Sequence, residues 1–143
     1  MFTDDYFMNI AFQQAQIAYE KDEVPVGCVI VHNNRIIAKA HNLTEQLNDV
    51  TAHAEMQAIT AAANLLGGKY LIDCSLYVTL EPCVMCGGAL TWAQLSRLVI
   101  AAEDAQRGFL HKGLALHPKT QIITGIMAEE SALLLKNFFK SKR

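Results

Sequence analysis

One histidine and two cysteines, far apart along the chain, can serve one chemical purpose only if the fold brings two helix starts side by side. The segments are His53-Ala54-Glu55 and Glu81-Pro82-Cys83-Val84-Met85-Cys86, with Asn42 upstream on the strand side of the same site. Together they offer a metal an imidazole and two thiols, plus a carboxylate with no evident structural need to sit beside them. Structural zinc is normally closed by four protein ligands, whereas catalytic zinc keeps three and leaves the fourth position to water or substrate. The chain has 4 cysteines, and Cys28 and Cys74 lie in the strand-like settings Val26-Gly27-Cys28-Val29-Ile30 and Ile72-Asp73-Cys74-Ser75-Leu76. Those two read as small core residues. His53, Cys83 and Cys86 remain as a ligand set with an open position, the pattern of a catalytic zinc site.

The spacing of the cysteines supports this reading. Pro82 follows the strand-like Ser75 to Leu80, and proline favours the first turn of a helix, so Cys83 and Cys86 are expected to open one. At a spacing of three they share a face, and the partial positive charge of a helix start favours thiolate over thiol. A Cys-x-x-Cys pair in a reducing compartment can also be a redox couple, but His-x-Glu and the preceding proline favour zinc. Two thiolates cancel the charge of the zinc ion, so water at its open position needs help losing a proton. Glu55, near the start of the helix through Met56-Gln57-Ala58-Ile59, can take that proton and pass it to a leaving group. A His-x-Glu followed by Pro-Cys-x-x-Cys is the signature of the zinc nucleobase deaminases.

Longer segments narrow the comparison. Glu23-Val24-Pro25-Val26-Gly27, Thr51-Ala52-His53-Ala54-Glu55 and the run from Leu76 through Glu81-Pro82-Cys83-Val84-Met85-Cys86 to Gly87-Gly88-Ala89 resemble the bacterial tRNA-specific adenosine deaminases. The resemblance extends to Val31-His32-Asn33-Asn34-Arg35, Asp104-Ala105, and Ala132-Leu133-Leu134 with Phe138-Phe139, nearly the whole chain. It implies a three-layer α/β/α fold around a mixed five-stranded sheet, a homodimer, and hydrolysis of the wobble adenosine of a tRNA anticodon loop to inosine and ammonia. It also implies that His53, Cys83 and Cys86 hold one zinc ion per subunit and that Glu55 shuttles the proton. Asn42 would read the purine, Asp104 would touch the RNA beside the target base, and the amides of Ala54 and Cys83 would orient the substrate.

One stretch departs from the family. Where relatives carry small residues behind a glycine, this chain reads Arg107-Gly108-Phe109-Leu110-His111-Lys112-Gly113, and the segment up to His117-Pro118 is shorter. Phe109 and Leu110 could form a lid over a closed pocket, which keeps open deamination of a free base or nucleoside such as guanine, cytosine or cytidine. A zinc-stabilised subunit without activity is a further alternative, and Glu55 argues against it because a structural site has no use for a proton shuttle.

At 143 residues the chain has the size of one domain with a substantial core, and no polar or Gly/Ser-rich linker divides it. Its start, Met1-Phe2-Thr3-Asp4-Asp5, lacks the basic and apolar regions of a signal peptide, and no apolar run reaches membrane-spanning length, so a cytoplasmic location is expected. That compartment keeps thiols reduced. A net charge of −2 argues mildly against a protein coated in nucleic acid, but local basic groups exist. Lys136, Lys140, Lys142 and Arg143 crowd the last helix, as a solvated helix end or an RNA clamp, and Arg107, His111, Lys112 and Lys119 surround the divergent stretch. The 52% hydrophobic content leaves room for an apolar subunit interface.

Helix and strand signals alternate, as in an α/β layered fold. Thr3 can cap a helix from about Asp4 towards Lys21, with Phe7, Ala11, Ala15 and Ala18 along one side. Val24 to Val31 reads as a buried strand, Asn33-Asn34 as a turn, and Ile36 to Ala40 as the next strand. A second helix is expected from near Ala52 to Gly67-Gly68, then a strand, the cysteine helix, the strand Arg97 to Ala102, a strand Gln121 to Gly125 and a helix from Ala128 to Lys140. The length between the last two strands allows a parallel crossover. Asn42 fits a turn residue or a substrate contact, and Asp104 a cap or a substrate contact. Of the adjacent Phe138 and Phe139, one is expected in the core and the other, assigned to Phe139, at the substrate.

Overall fold

The computed structural model describes residues 1–143. Helices α1 (Asp4–Glu20), α2 (Ala54–Leu66), α3 (Val84–Trp92) and α4 (Ala128–Ser141) alternate with strands β1 (Gly27–His32), β2 (Arg35–His41), β3 (Cys74–Leu80), β4 (Arg97–Ala102) and β5 (Gln121–Thr124). The strands form one five-stranded sheet in the order β2-β1-β3-β4-β5. β1 runs antiparallel to both β2 and β3, whereas β3, β4 and β5 are parallel. The expected mixed sheet and parallel last pair are both present.

Layering follows from side-chain alternation along buried strands. Cys28 and Ile30 of β1, Leu76 and Val78 of β3, and Leu98 and Ile100 of β4 face one way and pack with Ala54, Ala58 and Ala62 of α2 and Leu90 of α3. Their neighbours Val29, Val31, Tyr77, Val99 and Ala101 face the other way, against Phe7, Met8 and Ala11 of α1. Contacts of α4 with α1, β3 and β4 place it in the α1 layer, giving the expected α/β/α sandwich. Cys28 and Cys74 are fully buried, as read from the sequence.

Local chemistry sets the element ends. Thr3 accepts a hydrogen bond from the Tyr6 amide and starts α1. Asn33 and Asn34 both take positive φ, 51° and 59°, forming the tight hairpin turn between β1 and β2. β1 begins at Gly27, three residues later than the apolar run suggested. Here α1 crosses the strand so closely that a Cβ on Gly27 would lie 2.2 Å from the Ala11 carbonyl oxygen and 2.4 Å from the Ala15 nitrogen. α2 starts at Ala54, with the extended His53 at its cap position, and stops at Gly67, whose φ of 73° is the left-handed end favoured by glycine. No helix is long and apolar enough to cross a membrane.

Candidate active site

The parallel strands β3 and β4 end at Leu80 and Ala102 on one edge of the sheet, where β2 also ends and β1 begins. Open α/β sheets bind ligands at this carboxyl edge. β3 delivers Glu81-Pro82-Cys83 there, β4 delivers Glu103 and Asp104, and β2 delivers Asn42. Cys83 holds the cap position of α3 with φ −71° and ψ 175°, and His53 the same position of α2 with φ −69° and ψ 155°. The extended backbone at both caps aims their side chains ahead of the two helix starts. Cys86 joins them from the first turn of α3.

His53 Nδ1 lies 3.7 Å from Cys83 Sγ and 3.6 Å from Cys86 Sγ, and the ligand atoms are all within 4.8 Å of one another. Zinc–sulfur and zinc–nitrogen bonds of about 2.3 and 2.0–2.1 Å at tetrahedral angles place N and S about 3.6 Å apart. The donor set therefore fits zinc, with one tetrahedral corner left for something other than protein.

Glu55, in the first turn of α2, is 3% exposed. Burial pushes its carboxyl up from 4.5 to about 7. The Cys86 thiol donates to Cys83, which, with His53 alongside, brings the Cys83 thiol down to about 3. The same bond raises Cys86, and the bond to Cys83 raises His53. Proximity of a carboxyl, two thiols and an imidazole thus makes each group's charge depend on the others.

A cavity of about 710 Å³ opens onto this cluster, lined by His53, Ala54, Glu55 and Cys83. Ala54 opens α2, so its N–H belongs to the first-turn donors that a helix leaves unused. Asn42 and Thr44 line one side, Asp104 to Arg107 another, and Leu135, Phe139 and Arg143 reach in from α4 and just beyond it. The three ligands, Glu55, Ala54, Asn42, Asp104 and Phe139 are therefore all brought to it.

Two of them keep both their readings. Asn42 Oδ1 accepts from the Thr44 amide at 3.3 Å, a turn contact, while the residue also lines the cavity. Asp104 Oδ1 accepts from the amides of Gln106 and Arg107, each at 3.1 Å, so it caps a turn on the cavity wall. Phe138 is buried, its ring edge-on to Tyr19, and Phe139 is the half-exposed one at the cavity.

The lid that Phe109 and Leu110 could have formed is not there, since neither lines the cavity. Phe109 is fully buried, packs on Gly87 of α3 and donates its amide to the Pro82 carbonyl at 2.9 Å. An aromatic ring gains more from filling the core than from covering a wet cavity. The sequence reading also gave no role to Glu81, which is 2% exposed, or to Glu23, whose carboxylate accepts from the amides of Glu45 and Gln46 at 3.0 and 2.7 Å. The signal for Glu81 was its place directly before Pro82-Cys83, where a buried acid demands donors.

Residues 1–102 match the family described as the cytidine and deoxycytidylate deaminase zinc-binding region. The chain is 44% identical to the tRNA-specific adenosine deaminase of Rickettsia bellii, over 95% of this chain and 99% of that one. A structure from studies of A-to-I editing by tRNA:A34 deaminases at the wobble position superposes with TM-score 0.85 at 40% identity, over 91% of this chain and all but 1% of its own (99%). Guanine deaminase from Bacillus subtilis is 37% identical but superposes less completely, with TM-score 0.70 over 78% of this chain and 76% of that one. Zinc ligands, buried carboxylate and cavity thus stand on the scaffold of zinc-dependent deaminases acting on carbon–nitrogen bonds, and the chain belongs to the tRNA-specific adenosine deaminase family.

Proposed function

We propose that this chain deaminates the wobble adenosine of a tRNA anticodon loop to inosine, with water consumed and ammonia released. The observation that carries the reading is Glu55, buried beside the His53, Cys83 and Cys86 triangle in a cavity whose lining includes Arg107, Arg143 and Phe139. An adenosine in a loop costs little to splay out. Phe139 offers a ring to stack on, and the two arginines offer charge to the phosphates on either side.

His53, Cys83 and Cys86 would hold a zinc ion, which would supply Lewis acidity to the reaction. Glu55 takes the proton of the attacking water and returns it to the amine that leaves carbon 6 of the purine. Asn42 holds the purine edge from the β2 side, and Asp104 shapes the wall that meets the neighbouring nucleotide. The amide of Ala54 orients the base. Phe109 lies in the core and neither it nor Leu110 lines the cavity, so a lid of these two residues does not support a free-base pocket.

The whole chain acts as one deaminase domain, a reading supported by two hydrophobic clusters that share a single sheet. It works in the cytoplasm, where its substrate is found, and as a homodimer. Val84 and Trp92 of α3 and Leu65 and Leu66 of α2 are exposed in one layer, with Trp92 84% accessible, and suit an apolar interface. Trp92→Glu should then give a monomer by light scattering.

Mass spectrometry of an anticodon stem-loop with adenosine at the wobble position, incubated beside free adenosine, guanine, cytosine and cytidine, tests the activity. Inosine is expected in the stem-loop alone, and absent with Glu55→Ala. Turnover of a free base with the stem-loop untouched would refute the substrate.

A further inference from the structure

The cavity wall from Asp104 to Arg107 has no strand or helix to hold it, yet both ends of its segment are fastened to one buried side chain. Glu81 Oε1 accepts from the Asp104 amide at 3.0 Å, and Oε2 accepts from the Leu110 amide at 3.0 Å. His111 Nδ1 lies 3.1 and 3.2 Å from the same two oxygens. No room is left between the tethered ends. A Cβ on Gly108 would stand 1.8 Å from Glu81 Oε2 and 2.6 Å from the Asp104 carbonyl oxygen. Gly108 also pairs with Cys83 in an isolated antiparallel bridge, so the wall and the cysteine helix meet at this point.

We propose that Glu81 is a positioning residue for the deamination site, with His111 as its second fastening and Gly108 as the space that admits its carboxylate. The inference rests on the RNA reading above only for what the wall recognises. Hydrogen bonds to a charged group are stronger than neutral ones, and a carboxylate with both oxygens engaged fixes a loop at two points. The wall meets α3 at Cys83 and Gly87, but Cys86 and Leu90 bury that helix in the core as well, so loosening the wall leaves the ligand triangle in place. Glu81 therefore acts on the binding of the nucleotides beside the target base and not on the chemical step.

Glu81→Gln keeps the shape but turns an amide nitrogen towards a donor. It should raise KM for the stem-loop about tenfold, with kcat within about twofold and full zinc content. Hydrogen exchange should rise in residues 104–111 and stay unchanged in 84–92. His111→Ala should move KM in the same direction by less, and His111→Asn, whose amide nitrogen takes about the place of Nδ1, should restore it. Gly108→Ala should reproduce the effect in the natural chain and have a smaller effect on a Glu81→Ala background, where the contact with the carboxylate is gone and only that with the Asp104 carbonyl oxygen remains. Loss of kcat at constant KM, loss of zinc from Glu81→Gln, additive effects of the two alanine substitutions, or unchanged exchange in 104–111 would each overturn the assignment. If the natural protein leaves the stem-loop unmodified, the substrate reading fails by itself. The exchange measurement and the Gly108–Glu81 cycle, read then by denaturation, still decide the fastening.

Discussion

Replacing Glu55 by Gln should make the protein inactive and, once stripped of metal, more stable by an amount that grows as pH rises from 4.5 through about 7. Burial raises the carboxyl of Glu55 from 4.5 to about 7. A group whose proton is held more tightly in the folded state contributes stability that is complete below its unfolded value and lost as pH rises through its folded value. The window here runs from pH 4.5 to about 7. Above it the ionised carboxylate costs the folded state about 3 kcal/mol, at about 1.4 kcal/mol for each pH unit between the two values. Glutamine has the same shape and no such cost. The expected gain over the parent is close to zero at pH 4.5 and rises to about 3 kcal/mol by about pH 8, roughly 10 °C in Tm for a chain of this size. Urea denaturation of both proteins in chelator across that range measures it, beside a stem-loop assay with zinc in which the variant should lose at least about 10²-fold in kcat. Equal stabilisation at both ends of the pH range, or none at pH 8, would show that burial of charge is not what distinguishes Glu55. A stability gain bought with activity is the usual mark of a catalytic group.

Other perturbations separate the core from the site. Phe109→Ala should cost about 3–5 kcal/mol in denaturation experiments, because the ring is fully buried against α3; a loss below about 1 kcal/mol would restore the lid reading. Gly27→Ala should cost at least about 1–3 kcal/mol, since its methyl meets the backbone of α1, and calorimetry would show a lowered Tm. Chelation should abolish deamination and lower Tm, with recovery on adding zinc and none on adding magnesium, whose preference is for oxygen ligands.

Much of the site was legible because its chemistry is local. A ligand set, a proline just ahead of a helix and a carboxylate two residues from the histidine are short-range facts, and the side chains follow: His53 and Cys83 at helix caps, Cys86 and Glu55 in first turns, with Pro82 one residue before the cap rather than in the first turn. Asp104 lines the cavity, and of the adjacent phenylalanines Phe138 is in the core and Phe139 at the cavity, as their opposite directions on a helix suggested. Phe109 did not show its place, because an apolar residue in a divergent loop reads alike whether it covers a cavity or fills a gap above Gly87. Glu81 and Glu23 were silent for a related reason. Their partners are backbone amides, which carry no residue identity, and the loops that offer them lie 22 to 29 residues away.

The sequence by itself determined the alternation of helices and strands, the helix caps, the hairpin at Asn33-Asn34 and the zinc chemistry, since periodicity, capping and ligand type act over a few residues. Tertiary structure alone decided the strand order β2-β1-β3-β4-β5, which brings the ends of β2, β3 and β4 to one edge, and with it the cavity and its walls. It also decided that β1 starts only where Gly27 lets α1 cross, and that one buried carboxylate holds both ends of a loop. These depend on which surfaces meet, and a contact across the fold is paid for by the packing of the whole chain rather than by any residue's own preference.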